Sequence, residues 1–266
     1  MDTTTSPHDL HARLSGGGEI PLVGFGTWQL RGAAALDAVG WALEAGYRHI
    51  DTATAYHNEN EVGRALQASG VARGDVFVTT KMPPEQVGRE RATLERSLSA
   101  MGIDQVDLWL VHWPPSGDAG VRPWREFVRA RADGLARAIG VSNYSLAQID
   151  ELTAATGVTP EVNQVRWSPS QFNRATLDGH RERGVVLEGY SPFRAGGLDA
   201  RVLLDIADAH RATAAQVVIR WHLQHGIVVI PKSARRERII DNVDVAGLVL
   251  TDEEMRAIDG LGAGAS

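Results

Sequence analysis

The chain has 266 residues, 43% of them hydrophobic and 23% charged, which is ordinary for a globular protein and enough to bury one large core. Its formal net charge of −6 argues against binding to nucleic acid or to an anionic membrane as its main role. It contains no cysteine, so disulfides, zinc–thiolate sites, iron–sulfur clusters and cysteine nucleophiles are excluded.

Short apolar runs typical of strands recur along the chain, each followed by a polar turn and a stretch of helical periodicity. Residues 1–8 are expected to form a flexible tail, and the SGGG before Glu19 predicts the turn of a hairpin. Several of the helical stretches end in glycine, which favours a helix C-terminus there. The eight strands predicted after the hairpin are Leu22–Gly26, Arg48–Asp51, Val76–Lys81, Val106–His112, Ala136–Val141, Glu161–Gln164, Val185–Tyr190 and Ile227–Ile230.

Eight strand–helix units in succession predict an α/β fold, a single (β/α)8 TIM barrel domain over residues 1–266 with a short C-terminal tail. A doubly wound parallel sheet is the structural alternative. Eight units without a break in composition favour the closed barrel.

Four ionisable side chains fall at or just beyond the ends of consecutive predicted strands: Asp51, Tyr56, Lys81 and His112. The chemistry of such barrels gathers at the C-terminal ends of the strands, so we expect these four to meet on one rim. Lys81 and Lys232 are the only lysines among 27 basic residues, which suggests positions where arginine does not serve. Each residue taken singly is equally well explained as an exposed loop residue; together they indicate a site.

These four residues suit proton donation to a developing alkoxide. A free tyrosine, with a pKa of about 10, is a feeble acid at neutral pH, and we expect the ammonium of Lys81 to lower the pKa of Tyr56. Asp51 would hold Lys81 in place and keep it charged, and a neutral His112 would orient the substrate oxygen. None of these groups is an electron sink, so a cofactor must supply hydride.

The sequence resembles the aldo-keto reductase family from about Leu14 to Asp259, and in particular its short bacterial members that are similar to diketogluconate reductases. The string GYRHIDTATAYHNENEVG resembles the first family signature, and VTTK, LVHWP, ARAIGVSNY, VNQV and VVIPKS follow in family order. The resemblance implies that Asp51, Tyr56, Lys81 and His112 are catalytic, with Tyr56 the general acid. It also implies NADPH or NADP+ as cofactor and a small-molecule carbonyl as substrate.

The segment IPKSARRERIIDN places four cations at the start of a predicted helix, which favours an anion site there; a solvated basic helix face is the alternative. The resemblance assigns Lys232, Ser233 and Arg238 to the adenosine 2′-phosphate of the cofactor and Asn242 to its adenine.

The resemblance also supplies the remaining cofactor contacts. It assigns Ser142, Asn143 and Gln164 to the nicotinamide carboxamide and places Tyr190 against the nicotinamide ring. Ser191 and the backbone near Phe193 are expected to hold the pyrophosphate. We include Gly26 and Thr27, in the turn GFGTWQ after the first strand, in the same site. That turn has Gln29 where a dinucleotide fingerprint needs its third glycine, so the alternative of a Rossmann site is disfavoured.

Trp28 and Trp113 match the walls of the family's substrate pocket. Many relatives have tryptophan where this chain has Pro83, and many extend past the last helix, where here only residues 260–266 follow. We therefore expect a wider, wetter pocket than in the longer relatives.

The sequence also allows other interpretations of some histidines and of the function. His222 and His225 have a spacing that a metal site would allow, as do His8 and His11, but the absence of an apparent third ligand favours packing or surface roles and no metal. A cofactor-binding redox sensor and a metal-dependent barrel hydrolase are the alternative functions. The first residues lack the features of a signal peptide and no run reaches about 18 apolar residues, so we expect a cytoplasmic protein, and a monomer.

Overall fold

The computed structural model describes residues 10–116, 120–194 and 197–262, so the tail predicted at residues 1–8 lies outside the described part. The chain enters through an antiparallel hairpin of β1 (His11–Arg13) and β2 (Glu19–Pro21). Gly17 and Gly18 adopt φ angles of 101° and 84° in its turn, a conformation that favours glycine. The hairpin predicted from SGGG is confirmed.

Eight parallel strands follow, and each pairs with the next one along the chain. The first and last are joined through a parallel bridge between Val23 and Val229, where the Gly24 amide donates to the Val229 carbonyl at 2.9 Å. The sheet is therefore closed into a barrel, and the doubly wound alternative is wrong. Its strands are β3 (Phe25–Gly26), β4 (His49–Asp51), β5 (Phe77–Met82), β6 (Val106–Val111), β7 (Ala136–Ser142), β8 (Val162–Arg166), β9 (Val186–Tyr190) and β10 (Val228–Val229).

Ten helices lie among the described residues, and none of them is long and apolar enough to cross a lipid bilayer. Three of them begin with capping boxes, in which the side chains of Ser145, Thr213 and Thr251 accept from the backbone three residues on. The helices are α1 (Gly32–Glu44), α2 (Glu59–Ala68), α3 (Glu90–Met101), α4 (Val121–Ala132), α5 (Leu146–Thr156), α6 (Arg174–Glu182), α7 (Arg201–His210), α8 (Ala214–Gln224), α9 (Arg236–Val243) and α10 (Asp252–Asp259).

Much of the apolar core lies between the sheet and the helices, and the barrel interior holds a group of polar side chains among apolar ones. On the outer face of the sheet, Trp109 of β6 stacks on Phe127 of α4 with ring centres 3.5 Å apart. Successive side chains of a strand point to opposite faces, so the inner positions form layers across the barrel. The polar residues of these inner layers are fully or almost fully buried: His49, Asp51, Thr79, Lys81, Gln164 and Glu188.

Several strand ends differ from the sequence prediction because pairing with the neighbouring strand, rather than local hydrophobicity, ends a strand. β8 continues past Gln164 to Arg166, which lies opposite Tyr190 of β9. β5 continues to Met82, so Lys81 is its next-to-last residue. β3 is limited to two residues, and residues 22–24 instead bond to the last barrel strand.

Candidate active site

A cleft of about 500 Å³ opens at the C-terminal ends of the barrel strands. Its walls come from the loops after almost every strand, as expected for a barrel whose chemistry lies at this end. The cleft brings together most residues predicted from the sequence: Gly26, Trp28, Asp51, Tyr56, His112, Trp113, Ser142, Asn143, Gln164, Tyr190, Ser191, Phe193 and Lys232. Trp28 and Trp113 are 43% and 49% exposed, so both offer apolar surface to a ligand.

Beneath the cleft, Lys81 and Asp51 form a buried ion pair. The Lys81 ammonium donates to both Asp51 oxygens, at 2.6 and 2.7 Å, and to the carbonyl of Thr52 at 2.9 Å. Three donated bonds use all three of its protons. Gln164 donates to Asp51 at 2.8 Å, which fixes the carboxylate from the other side.

Tyr56 and His112 lie above this ion pair and face the cleft. Tyr56 lies in a short 3-10 turn, Thr54–Tyr56, and its ring centre is 5.1 Å from the Lys81 nitrogen. The rings of Tyr56 and His112 meet edge to face with centres 5.7 Å apart. The structure therefore places Asp51, Tyr56, Lys81 and His112 in one contiguous cluster, three of them at the cleft and Lys81 below it.

Burial and mutual charge set the protonation of this cluster. Burial alone would lower the pKa of Lys81, but Asp51 and then Tyr56 more than offset it, so the ammonium stays protonated. Burial, with a smaller contribution from Lys81, lowers the pKa of His112 to about 3, which keeps the imidazole neutral at physiological pH. Burial raises the pKa of Tyr56 more than Lys81 lowers it. Lys81 lowers the pKa of Tyr56 as predicted, but the net pKa lies above its ordinary value because desolvation of the phenol outweighs the ammonium.

The floor of the cleft is a connected set of amide and hydroxyl groups. The Ser142 hydroxyl donates to the Gln164 carbonyl at 2.8 Å, and the Asn143 amide donates to the Ser142 hydroxyl at 3.0 Å. The half-buried Tyr190 donates from its phenol to the Asn143 side-chain carbonyl at 2.9 Å. These donors and acceptors, with an accessible aromatic ring beside them, fit a planar ring that carries a carboxamide, as nicotinamide does.

The backbone is tightly constrained at two cleft residues that the sequence assigned to the cofactor, Gly26 and Ser191. A Cβ on Gly26 would lie 2.9 Å from the Ile230 carbonyl oxygen, so glycine is required there. Ser191 holds a φ of 56°, in the left-handed region, immediately after Tyr190. Thr27, by contrast, is fully buried and donates from its hydroxyl to the Asp51 carbonyl at 2.9 Å. Thr27 thus supports the cleft rather than lining it.

The predicted phosphate residues lie at the end of the cleft and along α9. Lys232 is exposed and lines the cleft, while Arg238 is exposed on α9. Neither has an acidic side chain within 4 Å among the described residues, whereas Arg236 pairs with Glu44 at 3.2 Å. Ser233 and Asn242 are buried beside them, outside the cleft itself. Two uncompensated cations are suited to an added phosphate.

Sequence reasoning missed three residues at this site. Arg166 and Arg194 line the cleft, the latter with its guanidinium 5.2 Å from the Trp28 ring centre. Buried Asn58 donates to the carbonyls of Thr27 and Leu30, both at 3.0 Å, and so ties the Trp28 loop to the turn of Tyr56. The spacing of two residues from Gln164 would have indicated Arg166, because alternate strand residues share a face.

The histidines outside the cleft are packed into the fold. His222 is fully buried with Nδ1 2.7 Å from the Val218 carbonyl, and His225 lies 2.8 Å from Asp259. Across residues 10–116, 120–194 and 197–262, no three histidine or acidic side chains are grouped as metal ligands. His11 is in β1, and His8 lies outside the described residues.

Comparisons with known proteins agree with this geometry. The model of the Aldo/keto reductase family matches residues 22–263. The chain is 42% identical over 255 residues to an aldo-keto reductase of Mycolicibacterium smegmatis, covering 94% of this chain and 93% of that protein. It is 40% identical over 256 residues to the methylglyoxal reductase DkgA of Salmonella typhimurium, covering 95% and 93%.

Among solved structures, a Bombyx mori aldo-keto reductase in complex with NADP superposes with a TM-score of 0.86 at 32% identity, covering 94% of this chain and 92% of that one. The family match spans the whole barrel, so the resemblance drawn from the signature strings is confirmed. The chain therefore belongs to the aldo/keto reductase family of oxidoreductases.

Proposed function

We propose that this protein reduces aldehydes and ketones to alcohols by hydride transfer from NADPH, with Tyr56 as the general acid. The observation that carries the proposal is the buried Lys81–Asp51 pair directly beneath Tyr56 at the floor of an open cleft. A buried ion pair contributes little to folding stability, since removing both charges from water is costly. It suits a site where a phenol must release a proton and take it back.

Each residue of the cluster has a separate role in the proposed reaction. The nicotinamide cofactor supplies the hydride that the carbonyl carbon accepts. Tyr56 gives its hydroxyl proton to the carbonyl oxygen, which completes the alcohol, and the phenolate left behind takes a proton from solvent. The Lys81 ammonium, held by Asp51, stabilises that phenolate. Neutral His112 donates a hydrogen bond that orients the carbonyl oxygen toward Tyr56.

The cofactor assignment rests on the donor set of the cleft. Ser142, Asn143 and Gln164 would hold the carboxamide, and Tyr190 would stack on the ring. Lys232 and Arg238, which lack acidic partners in the described part of the chain, would bind the 2′-phosphate. The Bombyx mori relative was solved with NADP, which supports the same choice here. Ser191 and Phe193 are assigned to the pyrophosphate, and Gly26 lines the same cleft while Thr27 supports it from below.

Trp28 and Trp113 would form the apolar walls of the substrate pocket. Each is close to half exposed, so both offer apolar surface to a small carbonyl compound. The similarity to DkgA, a methylglyoxal reductase, supports a small substrate.

Spectrophotometric assay of NADPH consumption against a panel of aldehydes and ketones tests the proposal. Turnover of several aldehydes supports it. Tight NADPH binding without turnover of any panel member would instead support the redox-sensor alternative. We also propose that the protein acts as a monomer in the cytoplasm; light scattering of the purified protein and fractionation of cells test these two points.

A further inference from the structure

The barrel interior holds a carboxyl group that the proposed mechanism does not use. Glu188 of β9 is fully buried, and neither of its oxygens has a hydrogen-bond partner among the described residues. His49 lies beside it, with its Nε2 3.8 Å from a Glu188 oxygen and 3.0 Å from the Thr79 hydroxyl. Lys81 has no proton left for Glu188, because Asp51 and Thr52 accept all three.

Glu188 lies in the layer directly below the Asp51–Lys81 pair. Its neighbour on the adjacent strand β8 is Gln164, and the Gln164 side chain donates a hydrogen bond to Asp51. Gly189 faces the outer side, toward Trp167 and His222, so Glu188 faces the interior. Two carboxyl groups thus lie near one lysine in a water-excluded space, and only Asp51 is bonded to it.

The charges around Glu188 decide its protonation. The ionisable groups around it are His49 and Asp51 from β4 and Lys81 from β5, and Tyr56 lies beyond them against Lys81. Burial lowers the pKa of His49 to about 3, so this imidazole is neutral. Burial and then Asp51 raise the pKa of Glu188 to about 8, while Lys81 and the side chain of Gln164 oppose the shift. At neutral pH the interior therefore carries one anion and one cation, and Glu188 is a neutral acid.

We propose that Glu188 is a positioning residue for the reduction. When it is protonated, this buried carboxylic acid adds no charge beside the Asp51–Lys81 pair. When it is ionised, its negative charge disfavours formation of the Tyr56 phenolate. This inference rests on the proposed function of Tyr56 as the acid. Ionised Glu188 places a second negative charge below Lys81, which makes loss of the Tyr56 proton harder. The wild-type enzyme therefore keeps Tyr56 protonated to a higher pH than a variant without this carboxyl group.

The variant Glu188→Gln tests the inference because it keeps the shape and neutrality of the protonated acid. We expect its reduction rate at pH 6–7 to remain within about twofold of wild type. The alkaline decline of reduction with NADPH, and the rise of alcohol oxidation with NADP+, should both move to lower pH by about half a unit or more. Glu188→Asp should restore the wild-type profile in part, since it again carries a carboxyl group.

Glu161→Gln is the matched control. Glu161 is also buried, but it lies at the opposite end of the barrel, where it accepts from the Gly16 amide at 2.9 Å and pairs with Arg131. Its replacement should leave the pH dependence of both reduction and alcohol oxidation unchanged. Superimposable profiles for wild type and Glu188→Gln would overturn the inference, whereas a wild type that reduces no aldehyde would overturn the proposed function itself.

Infrared difference spectroscopy of the wild-type protein gives a second readout that needs neither turnover nor a variant that folds. A buried carboxylic-acid C=O band should be present at pH 6 and should disappear as the pH passes through about 8. If Glu188→Gln folds, it should lack this band. Absence of any such band from the wild type at pH 6 would show that Glu188 is ionised there and would overturn the inference.

Discussion

The ammonium nitrogen of Lys81 lies 5.1 Å from the centre of the Tyr56 ring, and it is the only charged nitrogen that the described residues place against that ring. Lys81 is fully buried and hydrogen-bonded to Asp51, so its ammonium is held in place and does not reach solvent. A phenolate formed at Tyr56 would thus meet a fixed cation. The relationship makes the reactivity of the phenol depend on a residue that no substrate touches.

Tyr56→Phe should reduce carbonyl turnover by about 10²-fold or more and leave NADPH binding nearly unchanged, because the ring remains and only the proton is lost. Stopped-flow measurement of the chemical step and fluorescence titration of NADPH check the two parts. Retention of more than about a tenth of the wild-type rate, with chemistry limiting, would show that Tyr56 is not the acid.

Lys81→Arg should be nearly inactive although it keeps the charge. A guanidinium is larger and planar, and the fully buried space between Asp51, Thr52 and Tyr56 fits a compact ammonium. Lys232→Arg is the matched control, since Lys232 is exposed and arginine also binds phosphate. Steady-state kinetics of both variants, with circular dichroism to confirm folding, should separate them. Near-normal turnover by folded Lys81→Arg would contradict the role given to this lysine.

The double change Lys232→Gly with Arg238→His should raise the dissociation constant of NADPH sharply and leave that of NADH little altered. The 2′-phosphate adds close to two negative charges, and each lost charge-assisted contact costs about 1.5–3 kcal/mol, or roughly tenfold or more in affinity. Fluorescence titration with both cofactors at two salt concentrations measures the change.

Arg236→Ala is the control for this cofactor prediction, because Arg236 is already engaged by Glu44 and should matter little. Equal weakening of both cofactors in the double variant would assign these residues to the shared pyrophosphate or to the fold. A wild type that prefers NADH would contradict the assignment outright.

Stability should fall in acid partly because of buried neutral histidines. Burial lowers the pKa of His222 to about 4, below its ordinary value near 6.5. Between about pH 6.5 and pH 4 the unfolded chain binds a proton at His222 that the folded chain does not, so this contribution to stability is lost as the pH falls.

Urea unfolding at pH 7, 6 and 5 measures the effect. The variant His222→Asn should lose less stability with acid than wild type, by about 1.4 kcal/mol per pH unit below pH 6. His11→Gln, in the exposed hairpin, is the control variant. Equal pH dependence in wild type and His222→Asn would contradict the prediction.

Much of the architecture follows from local pattern in the sequence. Short apolar runs alternating with helical stretches recur eight times, and chain order alone brings their ends to one rim. Asp51 and Tyr56 were therefore expected to meet His112 from their positions relative to two predicted strands, and all three line one cleft. Lys81 stood out further because lysine is scarce here.

The electrostatics of the site was decided only by the tertiary structure. Gln164 reaches Asp51 across 113 residues, and Glu188 and His49 meet inside the barrel without any signal in their spacing. The pKa of Tyr56 is raised although Lys81 is adjacent, because the cost of desolvating a charge depends on every neighbour that excludes water. The sequence by itself thus determined which residues meet at the rim, and the packed barrel determined which of them carry charge.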